Sequence, residues 1–334
     1  MTKISSFIHQ HPKKSMLGAA VLLMVIALGV WLLVCRNKSD GLPAAETPAD
    51  TGALRIALLP TAECLPIYVA ESTGILDSLG LSTFIINARA QFDADTALYG
   101  HSVHLAASDL VRLQYQSSQG KKATALMALQ GSWGLAVAPG RRAGGVKDLK
   151  DRLLGMARFA ASDLYGLQAL RTVDLEYDDM LRAQANDFSV RTNMVVQAQT
   201  EAAVLPEPYL TYATNQGARI LWQVPVADTE LGCLAAQPDV LFSKRRTAQL
   251  ELLVKGYNQA VDRLNKRGLK GCDTLISQRY QLPVEVLQKA KLPRYHHASL
   301  PSATALTASR NFLSGRGVVL SGSMLMDDRF VAKK

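Results

Sequence analysis

The chain has 334 residues, of which 48% are hydrophobic and 19% charged, and its formal net charge is +9. This composition excludes a disordered or fibrous protein, and the length suffices for two lobes with well-buried cores. Residues 1–40 hold five basic residues and one acidic residue, a net +4, which leaves +5 for the rest. So dilute a charge does not predict a nucleic-acid-binding surface.

The N-terminal region contains a long apolar run. Met16 to Val34 is a stretch of 19 uncharged residues. As a helix it reaches about 28 Å, close to the ~30 Å hydrocarbon thickness of a bilayer. Lys13 and Lys14 precede it, which favours a cytoplasmic N-terminus. We therefore expect a cytoplasmic segment over 1–15 and a transmembrane or signal-anchor helix over 16–34.

Three fates of this run stay open, and all three export the rest of the chain. The run is longer than a secretory apolar region of ~7–15 residues and lacks a nearby A-x-A site, which favours a retained helix over cleavage. Cys35 follows a sequence that resembles a lipobox, although Val34 stands where a small residue is usual, so lipidation of Cys35 is the third fate. Small residues and prolines make 36–53 a predicted linker. We expect a membrane-tethered ectodomain in the periplasm or otherwise outside the cytoplasmic membrane.

From residue 54 onwards, short apolar runs alternate with helical segments. In chain order, strands are predicted at 54–59, 82–88, 103–107, 123–129, 134–138, 153–159, 190–197, 201–205, 218–222 and 231–236. Helices are predicted at 65–71, 75–79, 93–100, 110–119, 146–152, 164–172, 177–184, 209–215, 244–267, and over 272–312 apart from a loop at 293–301. This alternation predicts an α/β fold with mostly parallel sheets, and its two successive sets predict two lobes.

Four passages of the ectodomain match one family in type and in order. They are 55–74 (RIALLPTAECLPIYVAESTG), 104–110 (HLAASDL), 146–155 (VKDLKDRLLG) and 202–209 (AAVLPEPY). They resemble segments of the type II substrate-binding proteins of ABC importers, in the branch that binds nitrate, alkanesulfonates, taurine and pyrimidine precursors. His104 stands where that family usually has Asp.

The resemblance implies a two-lobed Venus-flytrap fold, with lobe 1 formed by 54–130 and 221–330 and lobe 2 by 131–220. It implies a monomeric, non-enzymatic receptor that captures a small molecule between its lobes and delivers it to the permease and ATPase subunits of an ABC importer, without a cofactor. Two alternatives stay open. One is an enzyme on the same fold, of the pyrimidine or menaquinone pathway type, and the other is a ligand-sensing receptor domain.

Polar or aromatic residues follow several of the predicted strands. In open α/β sheets, ligands bind beyond the carboxyl ends of strands, where helix N-termini present free N–H groups. The candidate ligand-binding residues at these ends are Thr61, Glu63, Pro66, Ser108, Asp109, Ser132, Trp133, Ser162, Asp163, Glu207 and Tyr209. Plain helix capping by the two Ser-Asp pairs, and a core position for Trp133, are the competing interpretations.

These segments contribute four carboxylates and no Arg or Lys, which favours a neutral or cationic ligand such as an aminopyrimidine or an amine. The family alone would favour an anion, and four arginines could reach the cleft from its rim: Arg89, Arg112, Arg158 and Arg171.

Other chemistry has little support in the sequence. His101 and His104 lack a third ligand for a metal site, and no Gly-rich nucleotide loop or G-x-S-x-G elbow is present. A disulfide between Cys233 and Cys272 is a hypothesis for an oxidising compartment, and burial of both as small apolar side chains is the alternative.

Overall fold

The computed structural model describes residues 52–225, 230–320, 322 and 324–331, and it contains two five-stranded sheets. The first sheet contains β1 (Leu54–Leu58), β2 (Thr83–Asn87), β3 (Leu105–Asp109), β4 (Thr124–Leu129) and β10 (Gly232–Ala236), in the order β2-β1-β3-β10-β4. The second contains β5 (Trp133–Val137), β6 (Leu153–Met156), β7 (Leu181–Gln184), β8 (Ala202–Pro206) and β9 (Arg219–Gln223), in the order β7-β6-β8-β5-β9.

The two sheets share one pairing scheme. In the first, β1 pairs in parallel with β2 and β3, and β10 pairs antiparallel with β3 and β4. In the second, β6 pairs in parallel with β7 and β8, and β5 pairs antiparallel with β8 and β9. The predicted α/β fold with two lobes is confirmed.

Helices follow the strands in both lobes. Their bounds are α1 Leu65–Ser72, α2 Ile75–Ser78, α3 Gln91–Tyr99, α4 Leu110–Ser118, α5 Ala161–Arg171, α6 Phe188–Val196, α7 Tyr209–Asn215, α8 Lys244–Arg267, α9 Asp273–Tyr280, α10 Val284–Lys289 and α11 Ala303–Ser314. Short 3-10 turns lie at Ala62–Cys64, Val146–Leu149, Tyr177–Asp179 and Pro238–Phe242.

Burial follows strand position. The strands β3, β4, β5, β8 and β10 are buried along their whole length, because helices cover both faces of each sheet. The edge strands β2, β7 and β9 are only partly buried, whereas the edge strand β4 is covered by the C-terminal segment, which forms a bridge from Met326 to Ala125. The central strands therefore fix each sheet, and their ends fix the loops between the lobes.

The chain passes from the first sheet to the second over residues 130–132 and returns after β9. The predicted lobe boundary between 220 and 221 falls inside β9, which pairs with β5 of the second sheet. The return segment includes 226–229, which lie outside the described residues.

Two predicted elements are wrong. Residues 177–184 form a 3-10 turn followed by strand β7, and 190–197 belong to helix α6. The run VRTNMVVQ is rich in β-branched residues, which favoured a strand. However, Asp187 caps the helix by accepting the backbone N–H of Val190, and residues 188, 191, 192 and 195 bury one helical face.

Cys64, Cys233 and Cys272 are free and buried, so the hypothesised disulfide is not formed in the structure. Cys233 lies in the central strand β10, whereas Cys272 precedes α9 and its thiol donates a hydrogen bond to the carbonyl of Leu269. Both thiols occupy apolar positions in separate elements, as small hydrophobic side chains do.

The predicted membrane helix over 16–34 and the lipidation candidate Cys35 lie outside the described residues. Within the described part of the chain, every helix is too short or too polar to cross a bilayer.

Candidate functional site

A small cavity lies between the carboxyl ends of strands from both sheets. The first lobe contributes Leu59, Glu63, Gln91, Ser108 and Asp109, and the second contributes Trp133, Ser162, Asn186, Phe188 and Arg191 among others. We call this space the inner cavity. Its volume is about 20 Å³, which is room for roughly one water molecule.

Glu63 joins the two lobes at this cavity. Its Oε1 accepts a hydrogen bond from the indole Nε1–H of Trp133 at 3.0 Å, and its Oε2 accepts one from the hydroxyl of Thr61 at 3.3 Å. Burial raises the pKa of Glu63 to about 7, against the lowering effect of the Trp133 hydrogen bond, and the charge of Asp109 raises it further. This carboxyl group therefore keeps its proton to a higher pH than an exposed glutamate does.

Glycine is required beside Glu63. A Cβ on Gly131 would lie 2.4 Å from Cγ of Glu63, and a Cβ on Gly232 would lie 2.7 Å from the carbonyl oxygen of Leu129. These glycines, at the crossing segment and at the start of β10, leave the space in which the Glu63 side chain is buried.

Asp109 also spans the lobes. It caps α4 by accepting the backbone N–H of Arg112 at 2.8 Å, as predicted, and it also accepts the backbone N–H of Ala161 at the start of α5. Burial nevertheless raises its pKa to about 6. Beside it, the hydroxyl of Ser108 lines the inner cavity and has no hydrogen-bond partner among the described residues.

Arg191 supplies a buried cation that the sequence interpretation missed. Its side chain is 1% exposed and donates to the carbonyls of Ala185 at 2.8 Å, Val204 at 3.1 Å and Asn186 at 3.4 Å. Burial lowers its pKa to about 9, so the guanidinium remains charged at neutral pH. The sequence does contain a signal for this position. Asp187 is a good helix cap, and a helix that begins after it places Arg191 on the same face as Phe188, whereas the predicted strand over 190–197 does not.

Two predicted carboxylates lie at the starts of helices and do not line the inner cavity. Asp163 accepts the backbone N–H of Phe159 at 2.9 Å, and Glu207 accepts the backbone N–H of Thr211 at 3.1 Å and its hydroxyl at 3.0 Å. The positive end of a helix dipole stabilises a carboxylate in or beside the first turn, where both Asp163 and Glu207 lie.

The other predicted residues have mixed positions. Ser162 lines the inner cavity, and its hydroxyl accepts the backbone N–H of Ala157 at 3.0 Å. Pro66 is buried in the first turn of α1. The Ser132 carbonyl accepts the backbone N–H of Glu207, and Tyr209 stacks on Phe188 at 5.7 Å.

Trp133 has both of its predicted roles. It lines the inner cavity, and its ring packs at 5.5 Å from Tyr165 and 6.3 Å from Phe188 within the second lobe. It is 5% exposed, so it is at once a core residue and part of the cavity wall.

The lobes are closed on each other in this structure. The rings of Tyr115 and Phe159, one from each lobe, stack at 4.4 Å with an interplanar angle of 4°. Arg89 forms an ion pair with Asp187 at 2.8 Å. These contacts, with those of Glu63 and Asp109, account for the small inner cavity.

A second, larger space adjoins the inner cavity towards solvent. We call it the outer cavity. Its volume is about 430 Å³, and it shares Gln91, Ala157, Ala160 and Asn186 with the inner cavity. Its remaining lining residues are Phe92, Arg112, Tyr115, Arg158, Phe159 and Gln184.

Within the described ranges, no group of three or more His, Cys, Asp or Glu side chains could hold a metal ion. The two predicted non-ligands His101 and His104 instead bond to Gln237 and to the backbone N–H of Arg55.

Two α/β lobes, linked by crossing segments and enclosing a polar cavity at their strand ends, define the periplasmic-binding-protein fold. Solved structures with this fold are similar to the chain along most of its length. The alkanesulfonate-binding protein SsuA from Xanthomonas axonopodis pv. citri, bound to MOPS, is 15% identical, with 84% of this chain and 99% of that chain covered and a TM-score of 0.70. The periplasmic nitrate-binding protein NrtA from Synechocystis PCC 6803 is 12% identical, with 71% and 69% covered and a TM-score of 0.60.

A third similar structure is an enzyme. DszB, as a cysteine-to-serine mutant in complex with biphenyl-2-sulfinic acid, is 13% identical, with 83% of this chain and 97% of that chain covered and a TM-score of 0.58. No family model and no curated protein sequence matches the chain. The resemblance to sulfonate- and nitrate-binding proteins is thus confirmed at the level of the fold.

Proposed function

We propose that this protein is a membrane-tethered, extracytoplasmic solute-binding protein that captures a small molecule between its lobes and delivers it to an ABC importer. One observation carries the proposal: polar groups at the strand ends of both lobes meet at one cavity, and two of them, Glu63 and Asp109, bond across the lobes. A ligand bound there would contact both lobes at once, and so would couple binding to closure.

The similar structures support the importer partnership. SsuA and NrtA are named as binding proteins for alkanesulfonate and nitrate, and they share this fold along most of the chain. The proposed partners are therefore a permease and an ATPase. The lobe division predicted from the sequence, 54–130 with 221–330 and 131–220, is part of the same proposal, with its second boundary moved beyond the end of β9 at Gln223.

The tether rests on the apolar run over 16–34 and the linker over 36–53. A tether keeps a receptor at high effective concentration near a membrane partner. Fractionation of cells should place the full chain in the membrane pellet, with its ectodomain cleaved by protease added from outside. Acyl labelling that is lost in Cys35→Ala would assign a lipid anchor, and an unlabelled wild type would assign a helix. Recovery in the soluble cytosol would overturn the tether.

The enzyme alternative draws on the likeness to DszB. The cysteine nearest the site in the chain is Cys64, next to Glu63, and its Sγ accepts the backbone N–H of Leu59 at 3.4 Å. Burial raises the pKa of this thiol to about 12, so it is not a thiolate at neutral pH. This disfavours thiol chemistry and supports a receptor.

A thermal-shift screen of the purified full chain in mild detergent tests the receptor function. The set would contain nitrate, alkanesulfonates, aminopyrimidines, amines and aromatic acids. A ligand at 100 times its Kd should stabilise the folded state by ~2.7 kcal/mol, and small-angle scattering should report a change in lobe closure. Turnover of a stabilising compound would overturn the receptor function in favour of an enzyme. A kinase gene next to this one, in place of permease and ATPase genes, would favour the sensor.

A further inference from the structure

The inner and outer cavities form one cleft of two very unequal parts. Four residues line both, and the volumes are about 20 Å³ and about 430 Å³. The inner cavity has room only for a group about the size of a water molecule, so the body of a ligand bound in the closed state has to lie in the outer cavity.

The inner cavity is rich in hydrogen-bond acceptors. Glu63 and Asp109 each accept two hydrogen bonds, and an ionised carboxylate has about four acceptor sites. The hydroxyl of Ser108 beside them has no partner in the described part of the chain. Arg191 contributes positive charge, and three of its five N–H groups donate to backbone carbonyls. The group best suited to this space is an N–H donor such as an amino group.

The outer cavity has the opposite character. Its described lining contains Arg112 and Arg158 and no carboxylate. Arg112 is neutralised by an ion pair with Asp95, whereas Arg158 is exposed and has no acidic partner among the described residues. A guanidinium in such a position suits a carboxylate or sulfonate group.

Three aromatic rings line the outer cavity. Tyr115 and Phe159 stack on each other at the boundary of the lobes, and Phe92 is 57% exposed in the same cavity. Rings of this kind suit a flat, apolar ligand body, for which 430 Å³ leaves room.

We propose, on the basis of the receptor function above, that the cleft selects a flat aromatic acid that carries an amino group at its opposite end. The amino group enters the inner cavity towards Glu63 and Asp109. The ring lies in the outer cavity beside Phe92, and the acid group meets Arg158.

Three matched probes test this by calorimetry on the full chain in detergent. They are 4-(aminomethyl)benzoate, 4-methylbenzoate, which lacks the amine, and 4-methylbenzylamine, which lacks the acid. The first should bind at least about tenfold more tightly than 4-methylbenzoate, because a buried charge-assisted hydrogen bond is at stake. It should bind up to about fivefold more tightly than 4-methylbenzylamine, because Arg158 remains exposed to solvent.

Variants test which end of the cleft produces each difference in affinity: the acceptors of the inner cavity or Arg158 of the outer cavity. Glu63→Gln should lower the preference over 4-methylbenzoate to below about threefold, and Arg158→Gln should remove the preference over 4-methylbenzylamine. Arg142→Gln, at an exposed arginine outside both cavities, should leave both preferences unchanged. If Glu63→Gln fails to fold, the wild type still provides the test: its preference for the amine should rise from pH 6 to pH 8 as Glu63 and Asp109 lose protons, while Arg191 stays charged.

Equal binding of 4-(aminomethyl)benzoate and 4-methylbenzoate would overturn the proposal, as would failure of all three probes to bind at millimolar concentration. Tight binding of nitrate or propanesulfonate, with no aryl probe bound, would overturn this inference and leave the receptor function standing. Turnover of a probe would overturn the receptor function itself.

Discussion

Replacing Glu63 with glutamine should make the folded protein less sensitive to pH. The pKa of Glu63 is raised from 4.5 to about 7, and each unit corresponds to ~1.4 kcal/mol, so its ionisation costs about 3 kcal/mol of folding stability. Because the folded-state pKa is above the unfolded one, the free energy of unfolding falls as pH rises from about 4.5 to about 7 and stays low above that. Glutamine keeps the shape, accepts the Trp133 indole N–H and donates to the Thr61 hydroxyl. It removes only the charge.

Urea unfolding of the full chain at pH 5, 6, 7 and 8 measures the effect. The variant should nearly match the wild type at pH 5 and exceed its stability by about 3 kcal/mol at pH 8. Glu251→Gln, at an exposed position of α8, is the matched control. A difference between Glu63→Gln and wild type that stays constant from pH 5 to pH 8 would refute the reasoning.

Three further changes test the packing around the cleft. Arg191→Met should destabilise the fold by ~3 kcal/mol or more, since the carbonyls of Ala185, Asn186 and Val204 lose a donor, and an unchanged urea midpoint would contradict this. Gly131→Ala should cost ~1–3 kcal/mol because its Cβ would meet Glu63, whereas Gly145→Ala, with nothing within 4 Å, should be close to neutral; equal effects would contradict the close contact. Arg89→Ala should cost below ~1 kcal/mol, because the arginine of that ion pair is 73% exposed, and a loss above ~2 kcal/mol would show that the pair holds the lobes together.

The sequence predicted the two-lobed α/β fold because its buried strands are short, continuous apolar runs between helical segments. Strands such as β4 and β8 are buried on both faces, so their composition alone marks them. The predicted helix over 177–184 and the predicted strand over 190–197 were wrong because tertiary packing opposed the local propensity of these residues. The β-branched residues of α6 favoured a strand, but capping by Asp187 and burial of Phe188 and Arg191 determined a helix.

The candidate site was predicted in part, for a geometric reason. Strand ends gave Glu63, Ser108, Asp109, Trp133 and Ser162, all of which line the inner cavity. The same rule cannot tell whether a polar side chain points to the cleft or back to its own helix. Asp163 and Glu207 follow strands equally well, yet Asp163 bonds back to the N–H of Phe159, just before its own helix, and Glu207 bonds to the N–H of Thr211 in the first turn of α7.

The predicted charge of the ligand depends on which charged side chains face the inner cavity, and the order of residues in the sequence does not show this. Four carboxylates and no cation among the strand ends favoured a neutral or cationic ligand, but Asp163 and Glu207 do not line the inner cavity, and α6 adds the guanidinium of Arg191 to it. Burial favours the neutral form of Glu63, and the guanidinium of Arg191 offsets the charge of Asp109, so the inner cavity carries little net charge. Ligand selectivity must then come from the separate positions of the polar groups: hydrogen-bond acceptors in the inner cavity and Arg158 in the outer cavity. A ligand with charge of one sign only would bind either the acceptors of the inner cavity or Arg158, and would leave the other without a partner. Probes that remove one end of the ligand at a time are therefore more informative than a comparison of anions with cations.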